Sequence, residues 1–348
     1  MYQMEVTGMK LFGISLFLML TSWCLTAENS KGLPELTDPH AVMVDRDEII
    51  IEDFPKIWVY SLRDFKLKHS FGKQGEGPGE FLQRSGYVRL NISVRKDLIF
   101  VESRGRLTFF SRRGECMRQL NSAASGYLFK PLDNGKLVAH KNIVSKNTLY
   151  KTLNLFNWSD LKLEKQFFRI KHGIQPGKII LVFDKVLRSF ADDRYIYVVS
   201  GFDFNIEVFD FEGRPVSKIS PKDYQPLAIS EKDREEAHAY LKTALSSYPL
   251  IKDRLRFPEH FLAIRNVVPD DQLLYVTTYH RTPEGLECFV FHRDGNSHQK
   301  IFLPVVRDNV LREYPYDIDE GTLYQLVENQ SQETWELHIR NINTLKDS

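Results

Sequence analysis

The sequence predicts an all-β chain, a six-bladed β-propeller with a helical insertion between blades four and five. The first observation is a recurring hairpin. Trp58–Asp64, Leu107–Gly114, Leu153–Asp160, Ile206–Gly213, Cys288–Gly295 and Trp335–Ile342 each run as an apolar strand into a turn. The second is the period. From Asp64 through Arg113, Ser159, Glu212, Asp294 and Ile342 the intervals are 49, 46, 53, 82 and 48 residues, so one insertion restores a repeat near 50. A fixed period of that length with four strands per unit is the signature of propeller blades. The third is a proline ruler. Pro176 lies 98 residues after Pro78, and Pro226 a further 50.

Each unit opens with an inner strand, such as Ala41 to Val44, followed by Glu48 to Ile51 and then the hairpin pair. This places the blades at about 40–72, 84–121, 127–170, 186–220, 261–303 and 310–345. The last blade runs out of chain after three strands. An uncovered edge would be a template for aggregation, so Gly32 to Leu36 is expected to supply the fourth strand and close the ring. The propeller thus spans 32–345, with the insertion at 228–258. Within the insertion, Ser230 is an N-cap with Asp233 three positions on. Ala237, Tyr240, Leu241, Ala244 and Leu245 recur at helical spacing, and Pro249 ends the helix.

The N-terminus reads as a signal peptide over 1–27. Lys10 precedes an apolar run from Leu11 to Leu20, with a small residue at Ala27, and Met9 is read as the start. The run is shorter than the roughly 20 residues a membrane-spanning helix needs. Export is therefore expected, to the periplasm or beyond. Cys24 offers lipid anchoring as the competing route, although Trp23 stands where lipoprotein signals want a small residue. Cys116 and Cys288 fall on opposite sides of the ring, too far apart for a disulfide, and both are expected to be buried and unpaired.

Composition is that of a globular domain, with 42% hydrophobic and 27% charged residues, 24 Phe and 15 Tyr. A net charge of +1 argues against a broad nucleic-acid surface. No Gly-x-Ser-x-Gly, His-Glu-x-x-His or Cys-x-x-Cys motif occurs, so no catalytic residue and no cofactor is assigned. The histidines at 260, 280, 292 and 298 match no ligand spacing, and Asp192-Asp193 and Asp270-Asp271 read as turn residues. Tyr240, Tyr248, Arg254 and Arg256 are the candidate contacts for a partner or for a lid over the channel, because Tyr and Arg dominate interface energetics.

Phe71-Gly72-Lys73-Gln74-Gly75-Glu76-Gly77-Pro78-Gly79-Glu80-Phe81 remains. It lacks the ending of a phosphate loop, and Glu76 and Glu80 would repel an anion; Phe81 is expected to pack between blades. The stretch resembles the inter-blade linker of secreted bacterial six-bladed β-propellers with NHL-like repeats. The other linkers depart further from that pattern, most of all around blade three. The resemblance implies an extracytoplasmic protein that binds a protein, small-molecule or carbohydrate ligand. Its alternative is a hydrolase or lyase resembling the lactonase and amidating-lyase propellers, which hold a divalent metal in the central channel.

Overall fold

The computed structural model describes residues 29–82, 90–121, 129–146, 148–171, 180–182, 187–244, 255–295 and 298–343. The signal-peptide reading, Cys24, Tyr248, Arg254 and the Pro176 linker lie outside these residues.

Strand β1 (Asn29–Leu33) precedes the first complete sheet, which comprises β2 (Ala41–Asp45), β3 (Glu48–Asp53), β4 (Lys56–Ser61) and β5 (Leu67–Phe71). The second sheet comprises β6 (Asn91–Arg95), β7 (Leu98–Ser103), β8 (Arg106–Ser111) and β9 (Cys116–Asn121). The third comprises β10 (Phe129–Pro131), β11 (Lys136–Ser145), β12 (Thr148–Asn157) and β13 (Leu163–Lys171). After a short strand, β14 (Ile180–Leu181), the fourth holds β15 (Leu187–Ala191), β16 (Tyr195–Ser200), β17 (Ile206–Asp210) and β18 (Pro215–Ile219). Helix α1 (Glu231–Ala244) and β19 (Leu255–Arg256), parallel to β14, come next. The fifth sheet comprises β20 (Asn266–Asp270), β21 (Leu273–Thr282), β22 (Gly285–His292) and β23 (His298–Leu303). A small pair, β24 (Arg307–Asn309) and β25 (Arg312–Glu313), leads to β26 (Tyr316–Asp319), β27 (Thr322–Asn329) and β28 (Thr334–Asn341). All six blades are antiparallel and four-stranded. The third has two ten-residue strands despite the eroded linker before it.

The sixth blade takes its outer strand from the start of the chain. β1 pairs with β28 from Asn29 against Ile339 to Leu33 against Trp335. The strand lies three residues earlier than Gly32 to Leu36. Pro34 cannot donate to a ladder, so pairing stops at Leu33, and Leu36 folds back into the core instead.

The core lies between the sheets. Six apolar clusters fill the six gaps between neighbouring blades, which is why both faces of each central strand are apolar. The opening linker belongs to one of them. Phe81 is fully buried among Ile50, Ile57 and Val59 of the first blade and Ile99, Val101 and Phe110 of the second. The turn before it is filled by its own side chain: Glu80 accepts the Gly77 amide at 2.8 Å and pairs with Lys73 at 2.8 Å. The hollow that resembles a phosphate cradle already holds a carboxylate.

Two further contacts recur from blade to blade. Hairpin glycines with positive φ receive an outer-strand residue of the preceding blade: Gly114 meets Phe71, Gly213 meets Phe167 and Gly295 meets Ile219. A Cβ on Gly114 would lie 2.5 Å from Phe71, and its φ is +81°. Gly114→Ala is therefore expected to cost about 1–3 kcal/mol, read as a lower urea midpoint at unchanged slope. A variant as stable as the parent would mean the turn is slack. The second contact is ionic. Arg112 reaches back to Asp45 and Glu48, and Arg293 reaches Asp192 at 3.2 Å and Asp193 at 2.7 Å.

The aspartate turns are thus only partly local. Asp192 does cap its own turn, accepting the amides of Arg194 and Tyr195, each at 2.7 Å. Asp270 instead accepts the amides of Glu320 and Gly321, each at 3.0 Å, tying its blade to the next. Cys288 is buried but Cys116 is exposed, contrary to expectation, because it opens the solvent-facing outer strand β9. Both thiols are free. Among the described residues no helix is long and apolar enough to cross a membrane.

Candidate functional site

Six inner strands, β2, β6, β10, β15, β20 and β26, surround the central channel and all run in the same direction. Their first residues ring one mouth and their last residues the other. Five residues of strand separate the two by roughly 16 Å. Every connection that enters an inner strand therefore arrives at the first mouth, and the hairpin turns such as Asp45–Glu48 lie at the second.

The first mouth is basic. It opens into a cavity of about 640 Å³ bounded by residues of five blades. Asn91, Lys130, Arg188, Arg265 and Asn266 come from the inner strands or the residue before them, and His140, Lys141 and Lys151 from the strands behind β10. Among the described residues no Asp or Glu lines it. Lys130 donates to the Ser189 carbonyl at 2.5 Å, and its ammonium lies 5.0 Å from the Phe190 ring. Burial, reinforced by the positive charges of Arg95 and Arg188, pushes its pKa down to about 8. His140, 2.9 Å from the Ser189 hydroxyl, is pushed down to about 4 by burial and by Lys130, so its ring is neutral at pH 7. Arg188 donates to the carbonyls of Ile264 and Arg265, and burial lowers its pKa too.

Beside the cavity, Glu313 is the counter-ion of two arginines, Arg265 at 3.0 Å and Arg281 at 3.5 Å. Burial raises its pKa even so, since desolvation outweighs the two guanidinium charges. One carboxylate against two guanidiniums leaves this cluster cationic.

The second mouth has the opposite sign. Asp45, Asp192, Asp193, Asp270, Asp271, Asp317 and Asp319 face a cavity of about 440 Å³, with Arg95, Arg293 and Lys130, which lines both cavities, among them. Burial raises Asp317 to about 7 and Asp319 to about 6, and Asp270 adds to both. Asp317 nevertheless has a structural task, accepting the amide of Val44 at 2.8 Å across the gap between the sixth and first blades.

The inserted helix sits over apolar surface at the rim of the basic end. Its cap is reciprocal, with the Asp233 amide donating to Ser230 Oγ at 3.2 Å and the Ser230 amide donating to Asp233 at 3.1 Å. Ala237 is fully buried and Leu241 half-buried against Ile229, Phe261, Leu262 and Val310. Glu236 fastens the helix to the ring, accepting the Val310 amide at 2.6 Å and pairing with Arg307 at 3.0 Å. Among the described residues, α1 contributes nothing to the lining of the basic cavity. Tyr240 is half-buried on α1 and Arg256 is exposed on β19, so neither reaches that cavity. The blade-five histidines are held apart, with His280 3.5 Å from Glu287 and His298 2.9 Å from Asp223.

The charged residues of the basic cavity escape sequence reasoning because no linear motif joins them. One signal was available. Asn91, Lys130 and Arg188 are polar residues at or near the start of inner strands, where the blade pattern otherwise reads as apolar.

No family profile matches the chain, and no curated protein is similar to it in sequence. Solved structures are similar in fold. A candidate exported protein of Bacteroides fragilis superposes with a TM-score of 0.53 at 10% identity, over 90% of this chain and 95% of that one. A member of the DUF4221 family from Bacteroides vulgatus gives 0.49 at 11% identity, over 90% and 95%. At 10% identity the likeness to the Bacteroides fragilis protein concerns the fold alone.

Proposed function

We propose that the protein is an exported, non-catalytic β-propeller that binds a small polar solute in the basic cavity. The observation that carries this reading is the convergence of polar side chains from five blades on one space of about 640 Å³, the size of an ordinary ligand site. The signal-like N-terminus and the Gly-rich linker, with its NHL-like character, favour export. Cleavage after Ala27 would spare β1, whose first residue pairs with Ile339 near the acidic mouth. On the competing route, cleavage before Cys24, a lipid there would tether that end and leave the basic mouth facing outward.

The test is a thermal-shift panel of neutral, cationic and anionic solutes on the full mature chain, repeated with Ser93→Trp, which projects bulk into both cavities. Stabilisation by a panel member, lost in Ser93→Trp, is expected. A panel without effect, or an effect that survives the substitution, would overturn the reading. The alternative of a metal-dependent hydrolase or lyase is checked by metal content: stoichiometric calcium or zinc in the purified protein would overturn the non-catalytic assignment. Tyr240 and Arg256, with Tyr248 and Arg254, are retained as proposed contacts for a protein partner, tested by alanine substitution in a pull-down.

A further inference from the structure

The cavity proposed above as the binding site has an unbalanced charge. Among the described residues, five Lys and Arg line it and no acid does. The imbalance is sharpest at Lys130. Its ammonium has a carbonyl and an aromatic face for company, with Arg95 and Arg188 as its charged neighbours. Arg188 likewise spends its donors on carbonyls. Among the described residues neither cation has a carboxylate partner, and a buried cation without a counter-ion costs folding free energy, so two of them side by side carry a cost that an anion would relieve. Low-dielectric walls also focus the field into the cavity; Glu52, Glu102 and Glu313 stand behind the lining at Leu90, Asn91 and Arg265, and the larger group of acids lies at the far mouth.

The neutral groups narrow the class further. Asn91, Ser93, Asn142 and Asn266 share the lining with the cations, and they suit hydroxyls better than an apolar tail. His140 adds a neutral ring close to Lys130.

Resting on the binding-protein reading, we propose that the cavity takes a hydroxyl-bearing organic anion, a carboxylate or a phosphate ester, with its charge at Lys130 and Arg188 and its hydroxyls at the asparagines. Lys130 supplies a point charge; Arg188, anchored on two carbonyls, supplies a fixed field more than a two-pronged contact.

The experiment is isothermal titration of the full mature chain with glucuronate, glucose 6-phosphate, inorganic phosphate and glucose. At least one of the two organic anions is expected to bind about tenfold tighter than glucose and tighter than inorganic phosphate. Glucuronate against glucose 6-phosphate separates the carboxylate from the phosphate. Lys130→Met is expected to weaken that binding by about tenfold or more, and Lys130→Arg by less. A second readout needs no variant. Arg95 on β6 and Arg188 on β15 are the cations that face Lys130, and His140 on β11 is neutral above pH 7, so binding should weaken above pH 8 as Lys130 loses its proton. Anions that bind no tighter than glucose, a flat pH profile, or an unaffected Lys130→Met would overturn the inference. If neutral solutes of the wider panel still stabilise the parent but not Ser93→Trp, the binding-protein reading stands while the anion inference falls. If nothing in the panel binds, both fall.

Discussion

A chain lacking residues 1–36 is expected to lose most of its stability and to aggregate. β1 contributes five backbone pairings to the sixth blade, and Leu33 and Leu36 are buried with Trp335 and Leu337 in the seam between last and first blades. At about 1 kcal/mol per net hydrogen bond, and about 2 kcal/mol for each buried leucine, the loss is on the order of 5 kcal/mol or more. That is comparable with the whole stability of many domains. It also bares β28 as an unpaired edge, which is a template for association. Thermal unfolding followed by circular dichroism, with size-exclusion chromatography for the aggregate, reads both effects. A truncated chain that stays monomeric and melts with the parent would mean that β1 is not what closes the ring. Leu33→Ala is the milder version, at about 2–4 kcal/mol.

Lys130→Met is expected to make the unliganded protein more stable. A lysine whose pKa falls from 10.5 to about 8 on folding disfavours the folded state wherever it is charged in both states. Two to three pKa units correspond to about 4 kcal/mol at most. Loss of the contacts to Ser189 and Phe190 reduces the gain, so an increase of about 1–3 kcal/mol at pH 7 is anticipated. The sign gives its pH dependence. The cost is full below pH 8, shrinks between pH 8 and 10.5 as the folded protein releases the proton first, and vanishes above. The stability curves of parent and variant should therefore converge as pH rises through that window. A variant less stable than the parent at pH 7 would show that the ammonium is compensated and that the cavity is not short of an anion. Removal of a residue that improves folding while abolishing binding is the pattern expected of a functional site.

These effects sit on a fold that was largely legible in the chain. The repeat near 50 residues was readable because the blades share one hairpin pattern, with Gly114, Gly213 and Gly295 at positive-φ turns in three of them. The structure adds why a side chain fails there as well: the preceding blade's outer strand is pressed against the glycine. Strand closure was foreseen in kind and misplaced by three residues, since Pro34 acts through a missing donor and Leu36 through burial. The helix was legible from its cap and spacing, but its attachment by Glu236 to Arg307 and Val310 joins residues more than 70 positions apart.

The site was not legible. Lys130, His140 and Arg188 lie on three strands of two blades, and each alone reads as an ordinary polar residue in a strand. By itself the sequence determined the number of blades, their order and the turn that spaces them, because those depend on local periodicity and on residues within a few positions of each other. The tertiary structure alone decided that one mouth of the channel is basic and the other acidic. That polarity follows from the common direction of six inner strands, which gathers at one end side chains that the chain keeps about 50 residues apart.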